Sequence, residues 1–264
     1  MKTRLSLYRH LAEVDEVIPF LKDNGLDLEI MLLDSEYMRQ TSIEDATELG
    51  ARLLDEGISV SVHLPVYGLQ PGCRDSVIRA VSAGTLLKGL VLAGALGARS
   101  ATMHSGLHPF VPPKFVPSEM ATFAEAIKPV LAIAEELEID LAVENTHEKS
   151  PELFTGLVDW SESDRLGFCW DPAHSHCFGE VEDLEWLEPL SKRLKVVHMS
   201  DNRGDRDSHL ALGEGNVPWK AIIKGLIEKG VDVPWVLELK PEEALVTFEW
   251  LKRARLDEFF ELPA

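Results

Sequence analysis

The sequence predicts an α/β fold, a single closed (β/α)8 barrel with a parallel sheet inside and helices outside. Three observations carry that expectation. The hydrophobic period switches repeatedly between two and 3.6, so strand-like and helix-like stretches alternate along the chain. The strand-like stretches are near-continuous apolar runs, which suit a parallel sheet covered by helices. Eight strand-plus-helix units fit into 264 residues, close to the roughly 250 residues over which a single barrel of this kind closes. An open doubly wound sheet is the alternative, but no GxGxxG follows the first strand, which lowers it.

In chain order the strand-like stretches are TRLSLY (3–8), LDLEIML (26–32), ISVSVHL (58–64), RSATMHS (99–105), DLAVENT (140–146), LGFCWDP (166–172), LKVVHMS (194–200) and PWVLELK (234–240). Each leads into a helical pattern, as in SVIRAVSAGTLLKGLVLAGALG, SEMATFAEAIKPVLAIAEELE and VPWKAIIKGLIEKG. Ser118 and Glu119 mark a helix start, and Gly97 and Gly230 mark helix stops. Pro129 interrupts its helix pattern and should kink it. Cys169 and Trp170 read as packing residues, because Trp170 should face away from its neighbour Asp171 across the strand. Trp219 and Trp235 read as core or interface residues. PFVPPKFVP (109–117) is a short rigid loop placed to act as a lid, with Phe110 and Phe115 either closing over a ligand or packing the loop. No linker or low-complexity segment divides the chain, so residues 1–264 are expected to form one domain.

The net charge of −19 repels polyanions at long range. No Lys/Arg-rich run offsets it, although a local basic groove is compatible with it. The three cysteines form no CxxC pair and imply no disulfide framework. MKTRLSLYRH has no apolar signal region, and no uncharged apolar run reaches 18 residues; Lys88 interrupts the nearest. The expectation is a cytoplasmic protein without a membrane partner. A homo-oligomer is left open.

The functional signal lies in the nine histidines. Active sites of such barrels sit at the C-terminal ends of the strands. His10, His63, His104, His108, His147, His174, His176, His198 and His209 all fall at or just after those ends. Glu144, Asp171, Asp207 and Glu238 join them. Ionised carboxylates inside apolar strands are costly unless paired or bound to a cation. Imidazole and carboxylate together suit Zn²⁺, Mn²⁺ or Fe²⁺ better than Ca²⁺. Gly213 and Gly215 let the backbone turn before a helix near Val217. Asp201 and Asn202 are expected to position that loop, and Glu214 to hydrogen-bond beside the ligands.

VENT, DPAH, HMSDN…DSHLALGEGN and LELK, taken in order, resemble the xylose-isomerase-like TIM barrels. That superfamily includes sugar-phosphate isomerases and epimerases and endonuclease IV (AP endonuclease family 2). The isomerase resemblance implies one divalent metal (Zn, Mn or Mg) on Glu144, Asp171, His198 and Glu238. It also makes Glu144 and Glu238 the acid/base pair acting on a small sugar or sugar phosphate. The endonuclease IV resemblance implies up to three zinc ions. His63, His104 and Glu144 would hold one, the central set a second, and His174, Asp207 and His209 a third. Several features depart from endonuclease IV. THEKSPELF replaces its Gly-rich turn, Tyr67 lies four positions after His63 instead of three, and few basic residues stand where that enzyme meets DNA. Arg39, Arg203 and Arg206 could instead hold one phosphate or carboxylate. His108, His176 and Arg203 are the substrate-binding candidates, while His10 and His147 are read as peripheral. A non-catalytic metal-binding barrel is the third reading.

Overall fold

A computed structural model describes residues 2–32, 35–108, 110–152, 155–156, 161 and 163–263. Pro109 of the proline-rich loop, and Leu153 and Phe154 of THEKSPELF, lie outside the described residues. Eight parallel strands follow the expected order: β1 (Thr3–His10), β2 (Asp27–Met31), β3 (Val60–His63), β4 (Ser100–His104), β5 (Asp140–Glu144), β6 (Leu166–Trp170), β7 (Leu194–Met199) and β8 (Trp235–Leu237). β1 pairs with both β2 and β8, which closes the barrel. A ninth strand, β9 (Phe260–Glu261), adds beside the start of β1 through Thr3 and Phe260. No periodic pattern in the sequence marks it.

The described helices are α1 (Val14–Asn24), α2 (Ser35–Met38), α3 (Ile43–Asp55), α4 (Ser76–Ala95), α5 (Val116–Ala126), α6 (Lys128–Glu136), α7 (Pro172–Phe178), α8 (Leu187–Ser191), α9 (Trp219–Glu228) and α10 (Pro241–Ala254). Gly97 and Gly230 follow α4 and α9 with φ of 73° and 69°, a left-handed turn that glycine adopts without a Cβ penalty. Pro129 breaks its helix outright, because α5 stops at Ala126 and α6 starts at Lys128. The first of these begins two residues before Ser118, whose hydroxyl donates to the Phe115 carbonyl at 2.7 Å. By length and composition α4 is apolar enough to cross a membrane. In the fold it lies against the barrel, burying Leu86, Gly89, Leu90, Leu92 and Ala93.

Alternation along each strand sorts the side chains into two layers. One face of the strands, with Leu5, Leu7, Val62, Met103, Val143, Phe168, Trp170 and Val197, packs against the helices and forms the main core with Trp219 and Trp235. The other face fills the barrel. There Ala142, Cys169, Val196 and Val236 form a small apolar cluster under Tyr8. The side formed by β1 to β4 is polar, with buried Ser6, Glu29, Ser61, Ser100 and Thr102. The inward series on β3 to β8 all end in a histidine or carboxylate. Thus His63 follows Ser61, His104 follows Thr102, Glu144 follows Ala142, Asp171 follows Cys169, His198 follows Val196 and Glu238 follows Val236.

Candidate metal centre

Six consecutive strands therefore deliver His63, His104, Glu144, Asp171, His198 and Glu238 to one end of the barrel. Glu144 stands at the middle. Its Oε2 lies 3.1 Å from His63 Nε2 and 3.2 Å from His104 Nε2. Its Oε1 lies 3.3 Å from His198 Nδ1, which is also 3.0 Å from Glu238 Oε1. Farther out, Asp207 Oδ2 lies 2.9 Å from His209 Nε2 and 3.3 Å from His174 Nε2.

The histidines not on β3 to β8 are placed by short-range structure. His174 and His176, expected just after the sixth strand, sit within α7, a seven-residue helix. Asp171 is its N-cap: Oδ1 accepts from His174 N at 2.9 Å, and Oδ2 is left for the site. His209 lies on the loop after β7, which is pinned by side chains as expected. Asp201 accepts from the backbone N–H groups of Asn202, Gly213 and Val217 at 2.9, 2.8 and 3.1 Å. Asn202 donates to the Ala173 carbonyl at 2.8 Å and accepts from Gly204 N at 2.9 Å. His209 itself has φ of 46°, a sparsely populated region for a residue with a Cβ.

The second nitrogen of each ring shows which one faces the centre. His63 Nδ1 bonds the Leu64 carbonyl, His174 Nδ1 the Asn145 carbonyl and His209 Nδ1 the Glu238 carbonyl, each at 2.9 Å. Those nitrogens carry a proton, so Nε2 is the atom turned inward, and its lone pair becomes available to a cation when that nitrogen gives up its own proton. His174 Nδ1 also lies 3.2 Å from Glu144 Oε1. Its bond to the Asn145 carbonyl assigns it away from the centre, and the ring faces Asp207 through Nε2.

These residues fit divalent cations. Metal bonds of about 2.0–2.1 Å in a tetrahedral site place neighbouring donors about 3.3 Å apart, close to the spacings around Glu144 and Asp207. One donor atom each from His63, Glu144, His198 and Glu238 lies within 4.8 Å of the others, and the same holds for Glu144, Asp171 and His174. Asp171 Oδ2, His198 Nδ1 and Asp207 Oδ1 are buried without a hydrogen-bond partner. Leaving a buried polar atom unsatisfied costs about 1–3 kcal/mol; a central cation would satisfy the first two and an outer one the third.

In the metal-free chain the charges lean on one another. Burial opposes protonation of His198, but the nearby carboxylates Glu238, Glu144 and Glu29 prevail and raise its pKa well above the usual value. For His209 burial is likewise outweighed, here by the Asp207 hydrogen bond and the Glu238 charge, and the pKa rises to about 10. Glu144 is held well below the usual carboxylate range, because surrounding histidines overcome its burial. Glu238 shifts down against the same opposition, chiefly through His198. Asp171 goes the other way, to about 6, because burial and the negative Glu238 and Glu144 outweigh His174 and His198.

The remaining candidates are not drawn into this cluster. His176 uses both ring nitrogens, on Asp183 and Asn216, each at 2.8 Å. His108 is exposed and accepts from Phe110 N at 3.2 Å. His147 packs on Phe178, with ring centres 4.6 Å apart. His10 lies against Tyr8, with a buried and unpartnered Nδ1. Glu214, expected to hydrogen-bond beside the ligands, is exposed on the loop after β7. Arg203 is exposed too, but with Arg206 and Asp207 it lines a cavity of about 400 Å³ beside the outer cluster. Phe115 packs under the Arg74 guanidinium, 4.4 Å from the ring centre, while Phe110 is 85% exposed.

Three residues escaped the sequence reading. Tyr8 donates to Met31 Sδ and meets the His63 ring edge-on. Glu148 is buried and accepts from Ser105 Oγ and from Thr146 N at 2.6 Å. Glu29 is fully buried beside His198. Its signal was a charge at an inward position of the apolar run LDLEIML.

A closed parallel barrel with histidines and carboxylates gathered at one end defines a barrel with a candidate metal centre. The description of the xylose isomerase-like TIM barrel family (AP endonuclease 2) matches residues 18–254, and the chain belongs to that family. It is similar to the TTHB071 protein from Thermus thermophilus, a structure from a soak with ZnCl2. The two are 29% identical, covering 97% of this chain and 99% of that one, with a TM-score of 0.83. A D-tagatose 3-epimerase-like protein shares the fold at 23% identity and a TM-score of 0.83, over 96% and 97% of the two chains. A probable endonuclease 4 of Oceanobacillus iheyensis is 30% identical over 145 residues, 48% of each protein.

Proposed function

We propose that residues 1–264 form one domain, a divalent-metal-dependent isomerase or epimerase acting on a small sugar or sugar phosphate. The observation that carries this reading is the pair of buried carboxylates, Glu144 and Glu238, that approach His198 Nδ1 to 3.3 and 3.0 Å. Glu144, Asp171, His198 and Glu238 would hold the central ion, Zn²⁺ or Mn²⁺ or Mg²⁺. When bound, such an ion polarises carbonyl and hydroxyl oxygens as a Lewis acid. Both glutamates have lowered pKa values and are ionised at neutral pH, the protonation state from which a carboxylate binds a cation or takes up a proton. One takes the proton from the carbon beside the substrate carbonyl, and the other exchanges a proton on the opposite side. Arg203 and Arg206 supply guanidinium groups for a phosphate or carboxylate at the cavity beside Asp207. A net charge of −19 disfavours nucleic acid, and a cytoplasmic location fits the three free cysteines.

A phosphodiesterase of the endonuclease IV type is the second reading. The outer pairings His174–Asp207–His209 and His63–His104–Glu144 favour it, because two further ions would stabilise attacking and leaving oxygens together. A barrel that only binds metal has no use for two glutamates in acid/base positions.

The test is metal content by mass spectrometry, on protein purified without added metal or chelator, followed by a sugar-phosphate panel in D2O. One tightly held central divalent ion per chain, with or without a weaker ion at the outer site, and deuterium appearing on the carbon beside the carbonyl, are expected. Three zinc ions and cleavage of an abasic-site oligonucleotide without deuterium exchange would instead establish the phosphodiesterase.

A further inference from the structure

His198 lacks what the other inward-facing rings have. His63, His174 and His209 each spend one nitrogen on a backbone carbonyl. His198 makes no such bond, and both its nitrogens lack a hydrogen-bond partner of good geometry. What faces its Nε2 is Glu29 Oε1, at 3.1 Å. Glu29 comes from β2, which supplies no ligand candidate. It is 0% exposed, and its other oxygen accepts from Ser61 Oγ at 3.0 Å. An ionised carboxylate this deep is costly unless a positive or hydrogen-bonding partner repays it. Ser61 satisfies one oxygen alone. The other faces a ring whose far nitrogen points at Glu144 and Glu238.

We infer that Glu29 is the positioning residue for His198. It accepts the Nε2 proton and so fixes the ring with the Nδ1 lone pair toward the centre, while Ser61 fixes Glu29. A carboxylate behind a ligating imidazole sets the tautomer and the ring orientation, and its loss typically costs about 10–100-fold in metal affinity. The role extends the candidate centre to a seventh strand. It rests on reading His198 as a ligand.

The experiment measures Zn²⁺ affinity by chelator competition for the wild type, Glu29→Gln and Ser61→Ala, alongside urea unfolding of the metal-free proteins. Glu29→Gln keeps the shape and removes the charge. Its tightest zinc should weaken about 10–100-fold. Ser61→Ala, which frees one carboxylate oxygen, should weaken it about threefold to tenfold, the worth of one hydrogen bond. Zinc bound as tightly by Glu29→Gln as by the wild type would overturn the inference while leaving the site reading intact. No zinc uptake by the wild type would overturn the site reading and the inference with it. If Glu29→Gln fails to fold, ¹⁵N ring spectra of the zinc-loaded wild type decide. A proton on His198 Nε2 is expected; a proton on Nδ1 would refute the positioning role.

Discussion

Glu144 places its two oxygens within 3.3 Å of ring nitrogens of four histidines, His63, His104, His174 and His198, so its removal should reach farther than any other single change. Glu144→Ala is expected to abolish both bound metal and turnover, checked by mass spectrometry and by assay on the same preparation. Full retention of both would refute the site assignment. His209→Ala should remove only an outer ion, leaving the central one and most isomerase activity in place. The raised pKa of His209, about 10, gives a pH dependence. The metal-free ring is protonated from pH 6 to 9 and must lose that proton to bind an ion. Affinity at the outer site should therefore climb with pH, about tenfold per unit for each proton displaced, until near 10. Calorimetry in buffers of different ionisation enthalpy should show proton release on zinc binding. Six ligand candidates were legible in the sequence because each ends an inward series on its strand, whereas His174, Asp207 and His209 came only from the motifs DPAH and DSH. Glu29 was not, because one charge within an apolar run is equally compatible with a strand edge or a surface position.

Among the elements, the loop after β7 shows most directly how sequence becomes geometry. Asp201 gathers three backbone N–H groups from positions up to 16 residues away. Asp201→Ala should cost about 2–4 kcal/mol, from several buried bonds lost at once, read as a lower urea midpoint. Because the same loop carries Asp207 and His209, the outer ion should loosen as well. Gly213 has φ of 87°, and a Cβ there would run into the Trp250 indole, so Gly213→Ala should produce the same pair of effects. The Asp and Asn roles could be read from the sequence because short polar side chains in loops bond to nearby backbone. Strand ends could not. In DLAVENT the β-branched Thr146 keeps the strand pattern going to 146, although pairing ends at Glu144. α7 was hidden for the opposite reason: its seven residues include two histidines and lack an apolar period. At two residues, β9 is too short for any periodic signal.

For the whole molecule, the barrel order followed from alternation alone, because eight repeats of a strand-then-helix pattern leave few ways to bury both faces of a sheet. Metal should act on this scale too. An ion at 100 times its dissociation constant adds about 2.7 kcal/mol to a folded state that alone can bind it. For a chain of 264 residues that amounts to a rise of roughly 5–10 °C in Tm. Scanning calorimetry with EDTA and with added Zn²⁺ should show it, and a Tm indifferent to metal would argue against a structural tie at the barrel mouth. The ligand candidates span β3 to β8, and Glu29 reaches them from β2. An ion there works as a buckle on a belt drawn around seven staves of a cask, with β1 the stave that carries no part of the belt. Emptying the site should therefore slacken the cask unevenly. Amide exchange should quicken across β3 to β8, most of all at the mouth, while β1 and β9 change least.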